Sequence, residues 1–234
     1  MILIGLIIAA VAAAWLAAAF WFSRRHKISF HQAALYVPLA ALWRVDATAL
    51  EDTADDEGPI LYIVSHQSRL DPALMLSLLP EDTLHILDDR AARSIWLEPW
   101  RELARTIAFN PEHVFVSRRL VRVLRNKGRL CVYLAADMDP NSRAFRLYRA
   151  VARIALRAEA RVQPIHVEGA DRLRSSFVES STGKRQLFPQ LTVRTLKPIT
   201  LEELVARDPE INTSSAALYA RCEELRRREA AAAA

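Results

Sequence analysis

The first charged residue of the chain is Arg24, and the stretch MILIGLIIAAVAAAWLAAAFWF before it is about as long as a helix needs to be to cross a bilayer. The basic residues Arg24, Arg25 and Lys27 follow the apolar run instead of preceding it, which reverses the order of a cleaved signal peptide. The pattern predicts a transmembrane helix over residues 1–22, and the positive-inside rule places the remainder on the cytoplasmic side, as a single-pass membrane protein. Trp15, Phe20 and Trp21 suit an interfacial belt or plain lipid-facing bulk. Residues 28–45 carry apolar positions at mixed helical spacing, with Pro38 expected to kink or split any helix there. Residues 23–57 therefore read as a membrane-surface helical segment followed by the acidic linker ALEDTADDEGP, which ends in a Gly-Pro breaker.

The main domain is expected over residues 58–213. Short β-rich runs (ILYIVS, RLCVYLA, ARVQPIHVEG, QLTVRTLKPI) alternate there with helical periodicity in PALMLSLL, VSRRLVRVLRNKG and AFRLYRAVARIALRAEA. Alternation of this kind predicts an α/β fold, a mixed and largely buried sheet flanked by helices. Residues 214–234 read as a charged helix with an alanine tail.

Composition narrows the chemistry. A chain of 234 residues that is 52% hydrophobic builds a packed core, and its formal charge of +5 attracts anionic partners. Phospholipid fits the apolar start; nucleic acid does not, because no aromatic-basic RNA motif, zinc pattern or recognition helix is present. With only 5 glycines there is no GxGxxG and no P-loop. Cys131 and Cys222 lie far apart without CxxC spacing, so neither a disulfide framework nor a metal site is indicated.

One segment carries chemistry. In SHQSRLDP, His66 follows an apolar strand and Asp71 precedes a proline that opens an apolar helical run. A loop between them can curl the carboxylate back to one ring nitrogen, fixing the tautomer while the other nitrogen takes a proton. The plainer alternatives are an N-cap aspartate ahead of a first-turn proline and an unremarkable strand-end histidine.

The block HQSRLD resembles the H-x4-D motif of the glycerophospholipid acyltransferases, and Ser68 matches the fuller pattern N-H-x-S-x-x-D; Ser65 departs from its first position. GRLCVYL, RVQPIHVEGA and RQLFPQLTV follow in the order and spacing of that family. The VEGADRL and KRQLFPQLTV portions are similar to the acyltransferase half of the bifunctional 2-acylglycerophosphoethanolamine acyltransferase/acyl-carrier-protein synthetases, and the likeness runs from about Leu35 to Pro198. The resemblance implies transfer of a fatty acyl group from acyl-CoA or acyl-carrier protein (acyl-ACP), as co-substrate and with no bound cofactor or metal, to the hydroxyl of a lysophospholipid. It makes His66 the general base and Asp71 its orienter, with Ser68 and Arg69 at the substrate.

A second family block is altered. Where the family places F-P-E-G to hold the glycerol, alignment gives Tyr133, Leu134, Ala135 and Ala136, followed by Asp137. An alanine side chain accepts no hydrogen bond and does not share glycine's tolerance of positive φ. Either Asp137 or Asp139 supplies the carboxylate from a shifted position, with Arg143 as the positive charge, or DPNS is a plain turn. Arg118 and Arg119 are candidates for a lipid phosphate or a solvated helix face, and Trp96 and Trp100 for an acyl groove, the bilayer interface or core. Pro164 matches a family proline that shapes the acyl pocket. His166 is expected to be a packed histidine. Two functions follow: a membrane-anchored lysophospholipid acyltransferase, or a catalytically impaired relative that binds lipid or a membrane partner.

Overall fold

A computed structural model of the chain describes residues 2–26, 28–51, 58–87, 106–108, 114–135, 145–207 and 213–232. The apolar start forms one helix, α1 (Ile2–His26), long and apolar enough to cross a membrane, with a mean hydropathy of 2.6. The next helix, α2 (Phe30–Trp43), begins at a capping box in which Ser29 and Gln32 bond each other's backbone amides. It ends where Arg44 turns left-handed at φ 45°. The two helices meet at Ala19, Ala33 and Ala34, small residues that let their backbones approach.

Pro38 lies inside α2, which continues through it, so of the expected kink or split the split does not occur. Proline lacks the amide that would bond the carbonyl four residues earlier, at Ala34. That carbonyl instead accepts from the Trp15 indole N–H at 2.9 Å. Trp15 thus satisfies a backbone group across the α1–α2 contact, a role that the aromatic pattern of α1 did not disclose.

The domain is built on β1 (Ile60–His66), β2 (Leu84–Leu87), β3 (Thr106–Ala108), β4 (Arg129–Ala135), β5 (Arg161–Glu168), β6 (Thr192–Thr195) and β7 (Ile199–Thr200). They run in the order β3-β2-β4-β1-β5-β6, and β7 also pairs with β5. The first five are mutually parallel; β6 and β7 are antiparallel to β5, which makes the sheet mixed. Strand β1 sits between β4 and β5, so it is buried on both faces and reads as a continuous apolar run.

Alternation along β1 separates two cores. Leu61 and Ile63 pack with α5 (Val114–Arg125), α6 (Phe145–Ala158), α7 (Leu201–Arg207) and α8 (Ser214–Ala232). Ile60, Tyr62 and Val64 pack with α2, the short α3 (Thr48–Glu51) and α4 (Asp71–Leu78). Each such apolar side chain contributes about 1.5–3 kcal/mol by leaving water. The C-terminal helix is therefore a structural layer, with Ala217, Leu218, Cys222 and Leu225 buried. Both cysteines are free and buried.

The core also reaches further toward the amino terminus than the expected boundary near residue 58. Leu35, Leu39, Ala47 and Leu50 belong to the same cluster as β1. Gln32 donates to the carbonyls of Leu79 at 2.6 Å and Leu76 at 3.5 Å, closing the carboxyl end of α4. A helix that satisfies its neighbour's end carbonyls belongs to the domain's packing, so α2 is part of the domain. Acidic residues 52–57 lie outside the described residues.

Candidate active site

His66 is the last residue of β1, at the carboxyl end of the parallel strands, where α/β sheets place their ligand crevices. The chain then turns tightly through Gln67, Ser68, Arg69 and Leu70 into α4. Asp71 is the first residue of that helix but does not cap it: the N-cap position is Leu70, and no side chain bonds the first-turn amides. Pro72 removes one of the donors that a cap would have served.

The Asp71 carboxylate points back into the turn. Its Oδ2 lies 3.2 Å from His66 Nδ1 and accepts the backbone amides of Gln67 at 2.7 Å and Ser68 at 2.8 Å. Its Oδ1 accepts the Ser68 hydroxyl at 2.6 Å, and Ser68 Oγ in turn accepts the amide of Leu70 at 3.2 Å. Asp71 is 1% exposed and Ser68 is fully buried, whereas the His66 side chain keeps 22% of its surface accessible. A buried carboxylate held by these donors offers a fixed acceptor to Nδ1–H. Asp71 therefore turns toward His66 and does not cap α4.

Two aromatic rings border His66 edge-on, Tyr133 at 5.7 Å and Phe177 at 5.2 Å between centroids. The Tyr133 hydroxyl lies 3.0 Å from His85 Nδ1 on β2. Burial pushes His85 down to about 3, so it is neutral across the physiological range. Burial likewise raises the Tyr133 phenol well above its ordinary value, with lesser contributions from Cys131 and Asp71. The pair is polar and neutral in this range, and meets His66 through the Tyr133 ring.

Phe177 arrives from the long excursion after β5. Its amide and the Ser176 hydroxyl both donate to the Gln67 carbonyl, at 2.8 and 2.9 Å, and the Arg69 amide donates to the Ser175 carbonyl at 3.3 Å. This stitching holds the turn between His66 and Asp71 from outside. His85, Ser176 and Phe177 were not identified as site residues from the sequence, since each lies far from the histidine along the chain; Tyr133 was met only as the first position of the altered block. The similarity of the VEGADRL and LFPQ segments was the nearest signal for Ser176 and Phe177.

The other sequence candidates distribute as follows. Arg69 is exposed at the turn, beside the pair. In the register of β1 with β4, Ala135 is the partner of His66, so the third position of the altered block lies beside the histidine. Ala136, Asp137, Asp139 and Arg143 lie outside the described residues, as do Trp96 and Trp100. Arg118 and Arg119 are exposed on α5, which covers the face of the sheet opposite His66; the structure does not bring them to the pair. Pro164 pairs with Ile63, whose side chain also faces that opposite layer, and its carbonyl accepts the Thr195 hydroxyl at 2.8 Å. It falls between the segments of β5 paired to β7 and to β6, where a missing amide disturbs no ladder bond. His166 is buried in β5.

The family model described as Acyltransferase matches residues 44–168, a stretch that contains the turn, β1 and all of β5. The crystal structure of the 1-acyl-sn-glycerophosphate (LPA) acyltransferase PlsC from Thermotoga maritima is similar in fold, with a TM-score of 0.51 over 93% of this chain and 87% of that one, at 16% identity. The family match spans more than half of the chain and includes the His66–Asp71 turn: the chain belongs to the acyltransferase family.

Proposed function

We propose that the chain is a membrane-anchored O-acyltransferase that moves a fatty acyl group from acyl-CoA or acyl-ACP to the hydroxyl of a lysophospholipid. The observation that carries this reading is the 3.2 Å contact between His66 Nδ1 and a buried Asp71 carboxylate, in a protein of the acyltransferase family. With Nδ1–H held by Asp71, His66 Nε2 removes the proton of the acceptor hydroxyl. The oxygen attacks the thioester carbonyl carbon, and the tetrahedral adduct collapses with cleavage of the C–S bond. His66 returns its proton to the departing sulfur, so the thiol leaves and the base is regenerated without an acyl-enzyme. General-base assistance of this type contributes about 10^2–10^4-fold to rate.

Anchoring is supported by α1, which holds Ile4, Leu6, Ile8 and Val11 each more than 60% exposed, an arrangement suited to lipid rather than water. The basic residues at its carboxyl end favour a cytoplasmic domain. An amino-terminal anchor keeps the active site near a substrate that resides in the same bilayer.

A second reading is favoured by one observation: Ala135, not a carboxylate, stands beside His66 in the register. On that reading the chain binds lipid or a membrane partner without turnover, or takes an acceptor that needs no glycerol-binding glutamate. Mass spectrometry on a panel of lysolipids with each donor separates these: a preference for lysophosphatidic acid over every other acceptor contradicts an altered acceptor, and absence of all acyl products supports the non-catalytic relative.

A further inference from the structure

The excursion between β5 and β6 is unusual in what it leaves uncovered. Phe177 is 56% exposed, Leu187 56% and Phe188 51%, three large apolar side chains within twelve residues of one another. The loop is nevertheless built. Its neck closes where Gly169, at φ +88°, passes so near Gln190 that an added Cβ would lie 2.3 Å from the Gln190 carbonyl oxygen. Its two limbs are joined by the Gln186 amide on the Arg172 carbonyl at 2.7 Å and by Arg185, whose guanidinium bonds the carbonyls of Asp171, Leu173 and Val178. At the far end the Trp43 indole donates to the Leu187 carbonyl at 3.1 Å, and its ring lies 5.7 Å from that of Phe188. The apolar side chains are therefore held outward by a fixed framework.

Charge accompanies them. The segment RLRSSFVESSTGKRQLF carries four basic residues against Glu179, and Arg174 and Lys184 are exposed, with exposed Arg69 and Arg44 on the adjoining segments. Large apolar side chains ringed by Lys and Arg are what a bilayer interface with anionic head groups accommodates: the rings enter the acyl boundary while the cations meet phosphates. Phe177 ties this surface to the chemistry, since its ring borders His66.

We infer that the 172–188 loop is a second membrane contact, seating Phe177, Leu187 and Phe188 in the interface of an anionic bilayer so that the His66 mouth opens at head-group depth. This rests on the proposed lipid acceptor, but its test does not require turnover. The full-length chain carrying Leu187→Cys is labelled with an environment-sensitive fluorophore and reconstituted in phosphatidylcholine–phosphatidylglycerol vesicles; both native cysteines are buried. Arg153→Cys, exposed on α6 across the sheet, is the control. The inference predicts a blue shift at position 187 in vesicles, quenching by lipids with a shallow nitroxide, and loss of quenching by aqueous iodide, none of it at position 153. Equal iodide quenching at the two positions in vesicles overturns it. So does a position-187 response to acidic acyl-carrier protein with none to vesicles. A protein that shows the depth signature but makes no acyl product sustains the loop inference and counts against the catalytic reading.

Discussion

Oδ2 of Asp71 lies 3.2 Å from Nδ1 of His66 while also accepting the amides of Gln67 and Ser68, so one buried oxygen both orders the turn and aims the imidazole. The two jobs cannot be separated by substitution at Asp71, and this shapes the first expectation.

Asp71→Asn replaces an acceptor oxygen by an NH2 group that cannot serve both amides and the ring. Turnover is expected to fall by up to about 10^4-fold, the loss that follows when an orienting aspartate becomes asparagine. The melting temperature should fall too, since a buried donor left without its acceptor costs about 1–3 kcal/mol. Ser68→Ala removes only the 2.6 Å hydroxyl contact to Oδ1, and should lower stability with a smaller loss of turnover. Equal losses of turnover in the two variants would contradict the assignment of His66 to Oδ2.

The neutral His85 predicts the acid limb of stability. Its folded-state pKa is depressed to about 3, from an ordinary 6.5, by burial. The unfolded chain therefore binds the extra proton across that window. Its contribution is complete above about pH 6.5 and is lost as pH falls toward 3, at up to about 1.4 kcal/mol per pH unit. His85→Gln keeps a partner for the Tyr133 hydroxyl and cannot titrate, so denaturant midpoints measured from pH 7 to pH 4 should decline less steeply than in the parent.

Trp15 and Pro38 form a compensated pair. Trp15→Phe leaves the Ala34 carbonyl without a donor and is expected to destabilise the α1–α2 contact by about 1–3 kcal/mol. Adding Pro38→Ala supplies the missing backbone amide and should recover much of that loss. A double-mutant cycle in detergent that shows the two changes to be additive argues against the coupling.

Gly169→Ala tests the neck of the 172–188 loop. The residue sits at φ +88° with the Gln190 carbonyl in the way of a side chain. A cost of about 1–3 kcal/mol is expected from backbone strain alone. Because Ser176 and Phe177 hold the Gln67 carbonyl, turnover should fall along with the melting temperature.

Much of this was legible in the chain. The apolar run ending in His66 became β1, and its register beside β4 and β5 follows from strands uncharged enough to be buried on both faces. The helices read from PALMLSLL, VSRRLVRVLRNKG and AFRLYRAVARIALRAEA appear as α4, α5 and α6. Strands β2 and β3 were missed because four and three residues are too few for a period to register. Local rules at Pro38 predict a kink or a split; α2 is not split, and the Ala34 carbonyl that the proline leaves without an amide is served by Trp15 of α1. In the site, spacing located His66 and Asp71 but could not choose between a cap and an orienter, since that depends on which way a carboxylate turns. Tyr133 and His85 were invisible as a pair because strand order, not sequence, places β2 against β4.

The most direct test of the central claim is mass-spectrometric detection of acylated product when detergent-purified protein meets mixed lysolipids with acyl-CoA or acyl-ACP, with His66→Ala in parallel. The account predicts an acylated lysolipid from the parent and its loss in the variant, with both proteins folded. Product formed at the same rate by His66→Ala, or none from a folded parent that still binds lipid, would contradict it.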